Sequence, residues 1–382
     1  MKRLLLALLL AFGLGVPAGA GAAPLIGAYV WGGLLGGRST PDAFNASVAF
    51  LLDRGFTAIR FAVGPKTLEG YGFAPGACGP RPSLACMLDP FLKAGALDDP
   101  RLRLVMITLH DSFVTRAGAF DPATVARDAE AILSDHAAAL ASLDRRFAGR
   151  PVRIVLSNWE GDNQLFCGSA YTFSRSPDFV RTCSATRGDL STALQGFIDW
   201  IALRDRAIAA YRKGGGTLDV SQAPEVNNLR IFTDGCLTTC DTGLTLAAGL
   251  RARGGWATCS YSAYDGINAG RLGETLDRLA SSCRRTIIGE FGFPLDRVKG
   301  ERLKGLYASA AAAIAQRQST IDAVFIWNAF ESEGTRDTGY GLFRADGSPF
   351  AWNSLPEAWR DALRVRQPKT RGRSRRRRKT DN

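Results

Sequence analysis

Residues 154–164, IVLSNWEGDNQ, begin apolar and β-branched and end in Asn158, Glu160, Asp162 and Asn163. A buried run that passes straight into carboxylates and amides fits a parallel strand of an α/β fold, covered on both faces and opening at its C-terminal end onto a site. Similar β-rich runs recur near 25–31, 57–63, 104–110, 229–234, 257–264, 286–291 and 323–328, which makes eight with the run at 152–158. Helical segments follow them, such as PDAFNASVAFLLDRG, with Pro41 at its start and Gly55 at its stop. A second is DPATVARDAEAILSDHAAALASLDRRFAG, from Asp121 to Gly149. Eight alternating units predict an α/β protein with a (β/α)8 TIM barrel. The alternative is an open doubly wound sheet, but no G-x-G-x-x-G follows the first run, and WGGLLGG at 31–37 has the wrong spacing.

The ends of the chain differ from this body. Lys2 and Arg3 precede an apolar run at 4–16 and small residues up to Ala23, which is the pattern of a secretory signal over 1–22. The barrel is expected over 23–365 and a disordered basic tail over 366–382. The formal charge is +12, but residues 364–382 carry ten Lys/Arg against one Asp and the signal carries two more, so the body is close to neutral. A near-neutral body argues against nucleic acid as a partner. The tail reads either as a solvated end or as a means of peripheral contact with an anionic surface.

All eight cysteines follow the signal, at Cys78, Cys86, Cys167, Cys183, Cys236, Cys240, Cys259 and Cys283. An even number in an exported chain reads as a disulfide set, and pairing neighbours in order is the simplest of about 105 connectivities. No C-x2-C pair faces another, and His110 and His136 are the only histidines, so no metal is expected. Six of the cysteines fall in connections that follow strands. There they would brace long loops on the catalytic face.

The run ends carry the chemistry. The second run holds Arg60, the third ends at His110, the fourth at Asn158 and Glu160, and the sixth at Tyr261, Ser262 and Tyr264. The seventh ends at Glu290 and the eighth at Trp327. In a barrel all of these face one pocket. Two carboxyl groups among aromatic and basic residues suit glycoside cleavage, in which one carboxyl protonates the leaving oxygen and the other attacks or stabilises the oxocarbenium-like centre. Arg60 is expected to keep Glu290 ionised, while Glu160 stays protonated longer. Trp327 offers a flat face to a sugar ring. His136 reads as a solvated helix residue, and Asp234, Glu331 and Glu333 as cleft-lining candidates without an assigned step.

On these residues the chain resembles the clan A glycoside hydrolases, most nearly the cellulase-like members of glycoside hydrolase family 5. The inner Arg60, the Leu109-His110 pair, the GEFG at 289–292 and Trp327 carry the resemblance, which covers most of the mature chain in strand order. It implies a retaining β-glycosidase, with Glu160 as acid/base and Glu290 as nucleophile. Arg60, His110, Asn158, Trp327 and Tyr264, or in place of the last Tyr261, would contact substrate. One departure stands out: the clan places Asn directly before the acid/base Glu, and here Trp159 intervenes. Either alternation keeps Asn158 and Glu160 on one face or a bulge restores the usual arrangement, and Asp162 is the fallback acid. The expected protein is an exported monomer that acts on oligo- or polysaccharide without a cofactor. The alternative is a barrel that has lost catalysis and binds glycan or a cell-envelope component.

Overall fold

A computed structural model describes residues 23–365, apart from 38, 75–77, 114–119, 230–235, 239–240, 296 and 333–337. The expected signal and basic tail therefore lie outside the described residues, as do Cys240, Asp234 and Glu333. Nine parallel strands form one sheet: β1 (Leu25–Tyr29), β2 (Ala58–Val63), β3 (Leu104–Leu109), β4 (Arg153–Ser157), β5 (Val220–Gln222), β6 (Glu225–Val226), β7 (Trp256–Ser262), β8 (Cys283–Phe291) and β9 (Ile321–Ile326). β1 pairs with both β2 and β9, so the sheet curls back on itself. β5 pairs with β4 and β6 with β7, leaving Ala223 and Pro224 between the two short pieces. Ala223 N donates to Leu156 O at 2.8 Å, and Pro224 O accepts from Ser260 N at 2.8 Å. The pieces are thus one interrupted stave that closes a (β/α)8 barrel.

Seven of the eight staves fall where the apolar runs place them. The fifth does not: it is Val220–Val226 in two pieces, while Leu229, expected to open it, lies in a bend beyond. Gln222 and Glu225 make this stave polar, and Pro224 has no N–H to give to a ladder, so it lacks the continuous apolar signature of its neighbours.

β2 and β3 are buried at every position, which suits strands covered on both faces. Inside the barrel, Ala58, Leu104, Met106, Val155, Ala223, Ile287, Ala323 and Phe325 form a core of their own. Gly27 makes room for it: a Cβ there would lie 2.6 Å from the Phe325 ring and 2.9 Å from Ala58. The larger core fills the layer between barrel and helices. Thr40 caps the helix Pro41–Asp53 by accepting from Ala43 N at 3.1 Å. The long helical segment after β3 divides at Asp128 into Pro122–Arg127 and Ala129–Phe147, with Asp121 as its N-cap.

Disulfides join Cys78 to Cys86, Cys167 to Cys183 and Cys259 to Cys283, as in-order pairing expects. Cys236 is also disulfide-bonded. Among the described residues no helix is long and apolar enough to cross a membrane.

Candidate active site

At the C-terminal ends of the strands lies a cavity of about 550 Å³, lined among others by Tyr29, Trp31, Lys66, His110, Trp159, Glu160, Asn163, Tyr264, Glu290, Trp327 and Tyr340. That volume lies within the roughly 300–1,000 Å³ of small-ligand sites. Five expected residues, Glu160, Glu290, His110, Tyr264 and Trp327, meet in its wall. Four further aromatic side chains share it with them, Tyr29, Trp31, Trp159 and Tyr340, none of which the strand ends single out.

Glu290 ends the apolar rise of β8, next to a register irregularity between Ile288 and Phe291. Arg60 Nη2 lies 3.4 Å from its Oε1. The guanidinium is, however, principally engaged elsewhere. Nη1 and Nη2 donate to Glu225 Oε2 and Oε1 at 2.7 and 2.9 Å, and Nε donates to Thr108 Oγ1 at 3.0 Å. The Tyr29 ring lies 4.3 Å from its central carbon. Burial pulls the Arg60 pKa down, but Glu225, Tyr29 and Glu290 more than offset this and hold it above its ordinary value. Arg60, expected to touch substrate, is fully buried and absent from the cavity wall. It acts from beneath, and its first partner is Glu225, a carboxylate the sequence reading did not consider.

Gly289 is what lets this pair form. A Cβ at that position would stand 2.1 Å from Ser260 Oγ, 2.4 Å from Glu225 Oε2 and 2.6 Å from Arg60 Nη1. The glycine before Glu290 therefore clears space for the ion pair under it. Ser260 Oγ completes the set by donating to Glu225 Oε2 at 2.6 Å.

Glu160 reaches the cavity by a route other than the two expected. β4 stops at Ser157, and Glu160 takes φ +26°, in the left-handed region, just before the short helix Gly161–Leu165. A non-glycine residue there costs on the order of 1–3 kcal/mol, a kind of strain that gathers at functional sites. The turn admits both Trp159 and Glu160 to the cavity wall. Ser262 Oγ lies 2.7 Å from Glu160 Oε1, and Asn163 Nδ2 donates to Oε2 at 2.6 Å. Asn163 Oδ1 accepts from Ala170 N at 2.9 Å, which fixes the amide so that Oε2 must accept. A proton on Glu160 therefore sits on Oε1, where the Ser262 hydroxyl can rotate to receive it. Burial raises the Glu160 carboxyl to about 7, with the Glu225 charge adding and the two hydrogen bonds and Arg60 opposing.

Asn158 is a correction. Expected to contact substrate, it is 1% exposed, accepts from Glu225 N at 2.9 Å and donates to Glu225 O at 3.1 Å. Its amide is used up in tying β4 to the interrupted fifth stave. Asp162 is also structural: its oxygens accept from Leu246, Asn227 and Asn228 N–H groups at 2.7, 3.0 and 3.3 Å. Tyr261 is fully buried and donates to Asp265, so of the two tyrosines it is Tyr264 that lines the cavity. Glu331 clamps a loop through Gly339 N and Gly341 N. Burial lowers the His110 pKa to about 4, which leaves its ring neutral at neutral pH.

No family model and no curated relative matches this sequence. Solved structures do. A GH5_18 protein from Streptomyces cattleya, in complex with GlcNAc, is 17% identical over 92% of this chain and 82% of its own, with TM-score 0.55. A variant of a GH5_18 protein from the same organism, holding Manβ1-4GlcNAc, is 18% identical over 91% and 82%, with TM-score 0.56. A β-glucosidase from Thermotoga maritima, in complex with glucoimidazole, is 11% identical over 90% and 98%, with TM-score 0.51. The chain thus shares the fold of these solved structures.

Proposed function

We propose that this protein is an exported retaining β-glycosidase in which Glu160 is the acid/base and Glu290 the nucleophile. One observation carries the reading: a buried carboxyl poised near 7 and a second carboxyl beside a guanidinium share one aromatic-walled cavity. Two carboxyl groups in different electrostatic settings provide an acid and a base at the same pH. In the first step Glu160 passes its Oε1 proton to the leaving oxygen while Glu290 attacks the anomeric carbon. In the second Glu160 takes a proton from water, which releases the sugar from Glu290. The aromatic rings offer apolar faces to sugar rings, with Trp327 standing edge-on to Tyr29 at 4.7 Å. His110, Tyr264 and Trp327 are assigned to substrate contact. The neighbours' ligands support short β-linked sugars as the substrate class. The disulfides fit an oxidising compartment.

The test separates the two steps. Glu290→Ala should abolish turnover of every β-glycoside, even those with activated aryl leaving groups. Glu160→Ala should be severe for poor leaving groups and much milder in the first step for activated ones. Unchanged turnover in both variants, or no turnover by the wild type while it still binds oligosaccharide, sinks the hydrolase in favour of a glycan-binding barrel.

A further inference from the structure

Lys66 is a basic residue in the cavity wall that the proposed chemistry leaves unused. It follows β2, is exposed at the mouth, and forms no salt bridge among the described residues. Its root is nonetheless fixed. Thr67 N and Leu68 N donate to Gly64 O at 3.0 and 3.2 Å, and Thr67 Oγ1 donates to the same oxygen at 3.0 Å. Thr67 is 8% exposed, and a Cβ on Gly64 would lie 2.5 Å from His110 Cβ, so the turn is seated against the third strand's end.

The charge layout gives this lysine a direction. Glu290 in the cavity wall and Glu225 beneath it both lie against the single guanidinium of Arg60, which gives the floor an acidic character, and His110 is neutral there. A positive mouth over a negative floor orients any substrate that is itself charged. A carboxylate on the sugar being cut would be repelled by Glu290, whereas one on an adjoining sugar would meet the ammonium.

We propose that Lys66 selects β-linked oligosaccharides carrying a carboxylate on a sugar next to the cleaved linkage. The inference rests on the glycosidase reading and names its substrate class. The probes are a β-1,4-linked disaccharide and trisaccharide of glucose or mannose, the same sugars with a hexuronic acid at the non-reducing end, and the same sugars with an aldonic acid at the reducing end. Wild-type kcat/KM should favour one acidic form over the neutral one by about three- to tenfold, the scale of a partly desolvated ion pair. Lys66→Met should erase that ratio, Lys66→Glu should invert it, and Lys66→Arg should keep it. The preference should shrink as salt rises toward 1 M. An acidic-to-neutral ratio that is the same in wild type and Lys66→Met overturns the proposal. If the wild type cleaves none of these, calorimetric titration with the same sugars decides. Charge-dependent binding lost in Lys66→Met upholds the role of Lys66 while the hydrolase reading falls, and charge-independent binding, or none, overturns it.

Discussion

His110 and Asp111 adjoin in sequence, yet each belongs to a different buried polar cluster. His110 faces inward with Arg60, Glu160, Glu225 and Glu290, at a cavity of about 550 Å³. Asp111 faces outward, toward the helices Ala129–Phe147 and Leu190–Lys213. Its Oδ2 accepts from Trp200 Nε1 at 3.0 Å and lies 3.4 Å from His136 Nε2. Arg204 lies over the Trp200 ring, 4.6 Å from its centroid, and donates to Ser157 O at 3.1 Å. The hollow beside this outer cluster is only about 150 Å³. Inside, Glu225 and Glu290 share one guanidinium, and Glu160 and Glu290 face a space that admits ligand. Outside, Asp111 is flanked by His136 and Arg204, with Asp135 on the same hollow, and its contacts fasten helices to the barrel. In the first case the buried acid faces the ligand space, and in the second the buried groups are engaged in holding helices to the barrel.

The largest effect expected from this contrast is that of Arg60→Met. Removing the guanidinium takes from the buried Glu225 and Glu290 the cation they share, a loss of about 3–5 kcal/mol by the behaviour of broken buried pairs. Urea unfolding should show it, together with loss of turnover. A variant as stable as the wild type would mean that Arg60 does not hold the inner cluster.

Asp111→Asn should act more mildly and on stability alone. The amide oxygen still accepts from Trp200, but the negative charge near Arg204 is lost. Burial already lowers the Arg204 pKa to about 10. A cost of about 1.5–3 kcal/mol is expected, with kcat/KM on any β-glycoside unchanged. A fall in kcat would break the comparison and tie the outer cluster to chemistry.

The barrel was legible because seven staves announce themselves as apolar runs, and their ends named Glu160, Glu290, His110, Tyr264 and Trp327. What escaped was polar. Glu225 sits in VSQAPEV, where Pro224 interrupts the stave and polar side chains hide its burial, so the carboxylate that neutralises Arg60 had no apolar run to mark it. In sequence His136 reads as solvated, yet in the fold it is 1% exposed. Its helix is rich in alanine and charge, but Ile132, Leu140 and Leu143 recur on the same side at helical spacing, and that stripe was the available signal. The route of Glu160 into the cavity depends on a left-handed backbone turn. A glutamate in sequence does not reveal that conformation.

The smallest effect concerns pH, and here the clusters should respond in opposite directions. Burial raises Glu160 from 4.5 to about 7 in the folded protein. The folded state then holds that proton more tightly than the unfolded chain, so its stabilising contribution is full below pH 4.5 and is lost as pH rises through about 7. His136 goes the other way. Burial lowers its pKa although Asp111 opposes, so the unfolded chain binds the proton more readily and stability falls as pH drops below the ordinary 6.5. Glu160→Gln removes the ionisable group while keeping an acceptor for Asn163 and a polar contact for Ser262. It should raise the melting temperature at pH 8 by roughly 2–4 °C and confer no such gain at pH 4. His136→Gln should show its relative benefit only on the acid side. In the wild type, kcat/KM for a poor leaving group should likewise fall above pH 7 as the Glu160 proton is lost. Equal melting shifts for Glu160→Gln at pH 4 and pH 8 would mean that the Glu160 carboxyl titrates alike in the folded and unfolded chain, and the opposition between the two clusters would fall.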